Sequence, residues 1–575
     1  MTNVNAFSSL NSQEPCHLTL NKSAAPIDLY DADQIKQIEQ AWFDQSFDRF
    51  GLMQQAAWQM AQQIIKGYRP KLSARPKSPI ALIWVGEGNN GGDGWLIAHY
   101  LQQAGWQVHV ILVTESHHKK LTANETDENS ADRARDLAIS ANCPYKCFKE
   151  IADTYQDQDQ HQHHLLNADV YVDAIFGIGL SRAPTGVFKD AIKLFNQAAM
   201  ESHAWVIAAD IPSGLMASTG QVFDGTAVKA EVTLCLIARK LGLHTKDGLD
   251  YCGDIIDLPL IPQALPPKAL RLSQPSAIPR RQQNSHKGSF GHVIIIGGNQ
   301  VNGSQGMGGA TILASASALA MGAGKLTVAC HKAFHSALLT VLPDAMTADL
   351  HDEQGVCQLI KAADVIAIGM GLGRDKPAKN LFINYVQAAI NHDKPLIIDA
   401  DGLYHLAALN LDQHFLIDQL KAFSQKQSLY LTPHSGEAAT LLNSSADNVE
   451  ADRVSAIYAC QNHFGGAWVL KGAGSLILQD QLFVCGTGNS GMASAGMGDV
   501  LSGVIAGLLA QKDLAELPNP LAQAVLIHGL AGDILVNGNS KSHHFEQNGL
   551  VIGQRGLQAQ DMPAAIRHVV EAFTI

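Results

Sequence analysis

The sequence predicts an α/β fold made of two three-layer units, each a mostly parallel sheet between two layers of helices. Three observations predict it: short apolar runs alternate with helical patterns, that rhythm restarts after a proline-rich stretch, and acids followed by glycines sit at the ends of several runs. Runs that are apolar throughout belong to strands covered on both faces, and such strands are parallel strands flanked by helices.

The first series of runs comprises 80–85, 108–113, 170–176, 205–209 and 232–236; the second comprises 293–296, 326–329, 365–368, 396–398, 429–431 and 468–470. Between them, six of the 21 prolines fall in 259–279. Proline removes a backbone donor and stops helices, so this stretch reads as a linker or lightly ordered crossover, dividing the chain into domains 1–270 and 271–575. A polar tract at 153–164 lacks apolar periodicity and reads as a solvated surface loop.

At 575 residues the chain exceeds one core, and 46% hydrophobic with 16% charged residues marks a globular protein. The net charge is −12 and no Lys/Arg run occurs, so small molecules are expected as partners, with no nucleic acid and no membrane. Nine scattered cysteines form no CxxC pair, no leader-like segment opens the chain, and no apolar run is long enough to span a bilayer; a reduced, cytoplasmic protein is expected.

The residues 486–507 form a glycine-dense loop that delivers Asp499 onto the start of an apolar helix. Gly486, Gly488, Gly491, Gly496 and Gly498 let the backbone approach a ligand, and a helix start offers unpaired N–H groups to phosphate oxygens. A carboxylate there suits polarising a hydroxyl for attack on a terminal phosphate. It equally suits a first-turn cap, and local sequence does not separate the two.

In the first half, the run 80–85 leads into Gly86-Glu87-Gly88-Asn89-Asn90-Gly91-Gly92-Asp93-Gly94, followed by a helix from Trp95. Gly86, Gly88 and Gly91 satisfy GxGxxG, and Glu115 stands where a ribose-binding acid belongs, so a dinucleotide dehydrogenase is a rival. Asp93 opposes it, because like charges at ~4 Å cost about 4 kcal/mol at an effective dielectric of 20. Asp173 and Asp210 end the next two runs, and with Asn90 and Ser213 they can converge at the carboxyl edge of a parallel sheet.

The order NNGGDG, VDAIFGIG, DIPSG resembles the YjeF N-terminal family, the NAD(P)H-hydrate epimerases, over about 28–260. The resemblance implies a Rossmann-like domain in which Asn89, Asn90, Gly91, Gly92 and Asp93, with Gly177, Ile178, Gly179, Leu180, Ser181, Arg182 and Ala183, hold the hydrated dinucleotide. It implies K⁺ bound by Asn90, Asp173 and Ser213, with Asp210 as substrate contact and acid/base and Lys240 as its helper. Leu52-Met53-Gln54-Gln55-Ala56-Ala57 departs from a family pattern with an acid and a glycine.

The second half carries Gly297-Gly298-Asn299, a Gly/Ala helix over 306–324, Gly369-Met370-Gly371, Asp399-Ala400-Asp401-Gly402, Thr432-Pro433-His434-Ser435-Gly436-Glu437 and Lys471-Gly472-Ala473-Gly474-Ser475. With the Asp499 loop these resemble the ADP-dependent NAD(P)H-hydrate dehydratases, the YjeF C-terminal family of the ribokinase-like superfamily, over about 275–575. The resemblance implies that Lys471, Gly472, Ala473, Gly474, Ser475 and Gly498 hold the nucleotide, with Mg²⁺ accompanying ADP. Ala310, Gly371, His434 and Asp499 contact the hydrated nicotinamide, and Asp499 is catalytic. Ser435 replaces proline and Ala495 replaces glycine; a positive φ at Ala495 would strain the loop. The implied activity is bifunctional repair of NAD(P)HX: epimerisation, then dehydration of the S form through phosphorylation of its C6 hydroxyl. The alternative is a small-molecule kinase acting on a vitamin alcohol, and a homo-oligomer is expected.

Overall fold

Each of the eleven apolar runs forms a strand, with ends within two residues of those expected. The computed structural model describes residues 25–69, 78–114, 130–156, 166–263, 265–301, 305–426, 429–536 and 552–575. In the first half, seven parallel strands lie in the spatial order Tyr145–Cys147, Gln107–Leu112, Ile80–Val85, Val170–Ala174, Trp205–Ala209, Val232–Leu236, Asp254–Leu258. Chain direction across the sheet reverses between Ile80–Val85 and Val170–Ala174. Ligands bind such sheets in the crevice outside the strand ends at that point.

The second sheet has twelve strands: Met346–Asp349, Lys325–Cys330, His292–Ile296, Val365–Ile368, Leu396–Ile398, Leu429–Leu431, Ala467–Leu470, Leu476–Leu478, Leu482–Cys485, Ala269–Leu272, Ile27–Tyr30, Arg239–Lys240. The first seven are parallel, with a reversal beside His292–Ile296. Side chains alternate between two apolar layers. Ile294, Ile296, Ile366 and Ile368 enter one layer, while Val293, Ile295, Ala367 and Val469 enter the other. The first-half sheet is covered likewise, by clusters around Ile83 and Val172 on one face and Trp84 and Tyr171 on the other.

Three expectations change. The proline-rich stretch contains Ala269–Leu272, a strand paired on one side with Ile27–Tyr30 and on the other with Leu482–Cys485. Pro266, Pro267 and Pro275 flank this strand without entering it, so its ladder donors are intact. The expected boundary at 270/271 cuts through it, and strands Ile27–Tyr30 and Arg239–Lys240 from the N-terminal half extend the second sheet. The polar tract at 153–164 begins inside the helix Phe148–Gln156, and 157–165 lie outside the described residues, as does Glu115.

The third change is at the NNGGDG segment, which is helical: the helix runs Asn89–Gln103, capped by Gly88, and does not wait for Trp95. Its glycines serve close packing. A Cβ on Gly91 would land on the Gly86 carbonyl oxygen, one on Gly92 would reach 2.8 Å from Met53 Sδ, and one on Gly94 2.7 Å from Ala174 Cβ. The same device joins helix Gly308–Met321 to helix Met497–Leu509, where a Cβ on Gly503 would meet the Ala314 carbonyl. No helix among the described residues is long and apolar enough to cross a membrane. Gly91→Ala should lower stability by about 1–3 kcal/mol through overpacking. Gly88→Ala, where nothing lies within 4 Å of the new Cβ, should cost under about 1 kcal/mol; urea unfolding midpoints compare the two.

Candidate active sites

At the first reversal point the start of helix Asn89–Gln103 meets the loop after Val170–Ala174. Asn90 Nδ2 donates to the Phe176 carbonyl at 2.8 Å, which leaves Asn90 Oδ1 buried with no donor. Asp173 is wholly buried; it accepts from Ser213 N at 2.7 Å, Ser213 Oγ at 2.5 Å and Ile175 N at 3.2 Å. Burial pushes its carboxyl up to about 6 against the pull of those hydrogen bonds. An orphaned amide oxygen beside a carboxylate, a hydroxyl and a carbonyl is a donor set for a hard cation. Gly177 adjoins it, since a Cβ there would sit 3.3 Å from Asn90 Cβ. The structure thus brings Asn90, Gly177, Asp173 and Ser213 together, Asn89 and Asp93 line a neighbouring cavity, and Ser181 and Arg182 are exposed.

Asp210 follows Trp205–Ala209 with φ 66°, a left-handed backbone that costs energy outside glycine. Its Oδ1 accepts from Leu236 N at 3.0 Å and from the fully buried ammonium of Lys240, while Oδ2 accepts no hydrogen bond from a described residue. Burial works against the Lys240 charge, but the Asp210 carboxylate outweighs it and holds the lysine above its ordinary value. Lys240 also donates to Leu236 O at 2.7 Å.

A cavity of about 510 Å³ adjoins this pair, lined among others by Glu39, Arg49, Met53, Asn89, Asp93 and Leu236. Burial, then Asp210 and Glu39, pushes the Asp93 carboxyl well up. Burial, then Asp210, also raises Glu39. No sequence motif marks Glu39, which lies in an ordinary amphipathic helix, Ala32–Phe43. Leu52, Met53 and Ala56, from the segment that departs from the family pattern, form part of the cavity wall.

In the second half, Gly371, Asp399, His434 and Lys471 follow four parallel strands at the same edge. Lys471 Nζ donates to Asp399 Oδ1 at 3.0 Å and lies 3.6 Å from Glu437 Oε2. Asp399 is 1% exposed and also accepts from Ser502 Oγ at 2.7 Å, a residue of the Asp499 helix. A Cβ on Gly498 would stand 3.1 Å from Lys471 Nζ and 3.8 Å from Asp399 Oδ2, so this ion pair sits against the helix start. Asp399 and Glu437 stand in the quoted motifs, yet sequence reasoning gave them no role. The acid-after-strand signal that singled out Asp173 and Asp210 was available for Asp399.

Asp499 is half-buried and accepts no hydrogen bond from a described residue. Burial first, then the charges of Asp399, Asp401 and Glu437, push its carboxyl up to about 7, with Lys471 pulling the other way. The amides of Gly498 and Asp499 find no acceptor among the described residues. Of the other glycines in the loop, three have their amides occupied: that of Gly488 by Asp533 at 2.9 Å, that of Gly486 by Leu272 O at 2.7 Å, and that of Gly491 by Asn489. The left-handed residue of the loop is Gly496, φ 89°, and Ala495 has no positive φ, so the strain expected at Ala495 does not arise. Ser435 opens helix Ser435–Leu441 where proline is favoured, and its hydroxyl donates to Glu450.

Gly371 (φ 65°) faces Met307 at the start of helix Gly308–Met321, which carries Ala310. That helix packs along the Asp499 helix, so both reach the same edge. His434, with its side chain 60% exposed, caps Ser435–Leu441: Nδ1 accepts from Gly436 N at 3.0 Å, leaving Nε2 as the protonated nitrogen, 3.5 Å from Glu437 Oε1.

A model described as YjeF-related protein N-terminus matches residues 50–242, and one described as NAD(P)H-hydrate dehydratase matches 294–547. The bifunctional NAD(P)H-hydrate repair enzyme of Coxiella burnetii is 32% identical over 552 residues, covering 94% of this chain and 99% of that protein. Its counterpart in Vibrio cholerae is 34% identical over 556 residues, covering 95% and 98%. Among solved structures, an ADP/ATP-dependent NAD(P)H-hydrate dehydratase from Bacillus subtilis, co-crystallized with ATP/Mg²⁺, covers 52% of this chain and 95% of its own at 22% identity and TM-score 0.40.

Two α/β units with acid and lysine clusters at their strand ends define a two-centre α/β enzyme. The chain belongs to the family of bifunctional NAD(P)H-hydrate repair enzymes. The Asp499 carboxyl should titrate near pH 7, measured as the carbonyl band lost from infrared difference spectra in Asp499→Asn. Lys471→Met removes the charge that lowers this pKa and should move the midpoint upward; a midpoint near 4 in the wild type would contradict the burial account.

Proposed function

We propose that the chain repairs hydrated NADH and NADPH at two centres: the N-terminal domain interconverts R- and S-NAD(P)HX, and the C-terminal domain dehydrates the S form to NAD(P)H at the expense of ADP. The observation that carries the reading is the Asp499 carboxyl poised near neutrality beside unpaired helix-start amides. The domains correspond to about 1–270 and 271–575, apart from the strands that the second sheet borrows.

In the C-terminal centre, Asp499 accepts the proton of the C6 hydroxyl as that oxygen attacks the β-phosphorus of ADP, giving AMP and a phosphate ester. The ring nitrogen's lone pair then expels inorganic phosphate, and loss of a proton from C5 restores the dihydronicotinamide. A base with a pKa near the working pH combines a large deprotonated fraction with useful basicity. The helix-start amides of Gly498 and Asp499 and the Lys471 ammonium offset the phosphate charge. The segment Lys471, Gly472, Ala473, Gly474, Ser475 holds the nucleotide, while Ala310, Gly371 and His434 line the side of the hydrated ring. No group of three or more His, Cys, Asp or Glu among the described residues makes a metal cage, so Mg²⁺ fits as an ion carried on the phosphates with Glu437 or Asp499 in reach. When bound, Mg²⁺ supplies charge neutralisation of the phosphoryl oxygens.

In the N-terminal centre, Asp210 Oδ2 takes the C6 hydroxyl proton as the C6–N bond opens to an aldehyde and passes it to the ring nitrogen; reclosure of that bond on the other carbonyl face reverses the transfer and inverts C6, while Lys240 fixes Oδ1. Asn90, Asp173 and Ser213 fit K⁺ through the orphaned Asn90 oxygen, and K⁺, when bound, supplies a positive charge against the substrate's phosphates. Full-length relatives matching both halves support this reading over a vitamin-alcohol kinase with an accessory domain.

Separated epimers with ADP test the assignment. Asp499→Asn should slow dehydration of the S epimer by about 10²–10⁴ with R/S interconversion intact. Asp210→Ala should slow repair of the R epimer alone, to its spontaneous epimerisation rate. S-epimer dehydration at the wild-type rate in Asp499→Asn would remove that residue's role.

A further inference from the structure

We propose that Arg453 and Thr245 are positioning residues for the nucleotide, so that ADP binding by the C-terminal half depends on a hydrogen bond from the N-terminal half. The inference rests on the reading of 471–475 as the nucleotide loop.

That loop does not hold its own shape. Arg453, 4% exposed, stands behind it: Nη1 donates to Ala473 O at 2.7 Å and to Thr245 Oγ1 at 2.9 Å, and Nη2 donates to Leu470 O at 3.1 Å. Thr245 belongs to the N-terminal half and is 1% exposed. Its neighbour Lys246 donates its amide to the same Ala473 carbonyl at 3.0 Å and its ammonium to Glu450 O at 3.0 Å. Ala473 O therefore receives Arg453 from its own half and, from the N-terminal half, the Lys246 amide and, at 3.4 Å, the Thr245 hydroxyl.

The glycines of the loop meet the same partners. Gly472, φ 148°, would place a Cβ 2.8 Å from an Arg453 Nη2, and Gly474, φ 60°, would place one on the His244 carbonyl oxygen. Glycine is required at both positions because backbone from 244–245 and the guanidinium fill the space a side chain would need. Arg453 makes no ion pair within 4 Å with a carboxylate among the described residues: its hydrogen bonds go to carbonyls and a hydroxyl, and the Glu450 carboxylate acts on its charge from further away.

The tether also reaches the other centre. Thr245 lies five residues after Lys240, the partner of Asp210, and strand Arg239–Lys240 is the edge strand of the second sheet. One short segment thus touches the acid of the first centre and the loop of the second.

Thr245→Val removes the hydroxyl and keeps the shape. The expected result is an ADP KM raised about tenfold, the loss of a hydrogen bond to a charged group, with kcat, the KM for S-NADHX and the epimerase rate within about twofold; Thr245→Ser should restore the ADP KM. An unchanged ADP KM would overturn the proposal, as would a joint loss of kcat, both KM values and epimerase rate, which marks general loosening. Hydrogen exchange of the wild-type enzyme with and without ADP separates this from failure of the underlying reading. Protection of 470–476 by ADP with an unchanged KM in Thr245→Val defeats the tether alone, whereas absence of protection defeats the loop assignment on which it stands.

Discussion

An ammonium largely withdrawn from water must be neutralised where it lies, and in the C-terminal half that requirement shapes the site around Lys471, whose side chain is 20% exposed. Lys471 is held by Asp399, which is itself tied to Ser502 on the Asp499 helix, and Glu437 stands on the other side. The pair locks the end of one strand to the start of that helix. It also surrounds Asp499 with more negative than positive charge in a poorly solvated place, which is why its carboxyl rises to about 7. A group that holds its proton near neutrality and has no protein partner is suited to exchanging it with a ligand.

The first centre uses the same ingredients in another arrangement. There the buried lysine is bonded directly to the acid, Lys240 to Asp210, and one carboxylate oxygen is left without a donor. The second centre instead gives its lysine to neighbouring acids, and Asp499 accepts no hydrogen bond from a described residue. Both sites stand outside the carboxyl ends of parallel strands, close to the point where strand order reverses, where helix starts and loop amides converge without further design.

Much of this was legible in the sequence because it depends on local chemistry. The fully apolar runs marked the strands that lead to Asp173, Asp210, Asp399 and Lys471, though not the two-residue strand Arg239–Lys240, and acids followed by glycines marked several of their ends. Asp173 and Ser213 are hydrogen-bonded and Asn90 joins them through the Phe176 carbonyl, whereas Asp210 bonds Lys240 and Leu236; Asp499 does open an apolar helix. What escaped depends on partners distant in sequence. Ala269–Leu272 is too short and too close to prolines to show as a strand, and is fixed by pairing with 27–30 and 482–485. The helical NNGGDG turn is imposed by packing against Ile83, Val85 and Ala174, since glycine alone has weak helical preference. Glu39 is raised by burial and then by Asp210, a residue far along the chain that a local reading does not bring near it.

The central claim is that the C6 hydroxyl, deprotonated by Asp499, attacks a phosphoryl group before it departs. S-NADHX carrying ¹⁸O in that hydroxyl, turned over with unlabelled ADP, tests it most directly. The account predicts that the label leaves in inorganic phosphate, seen as the isotope shift in its ³¹P resonance, with AMP formed in equal amount. Label recovered in water with unlabelled phosphate would mean that the hydroxyl leaves without being phosphorylated, and would contradict the account.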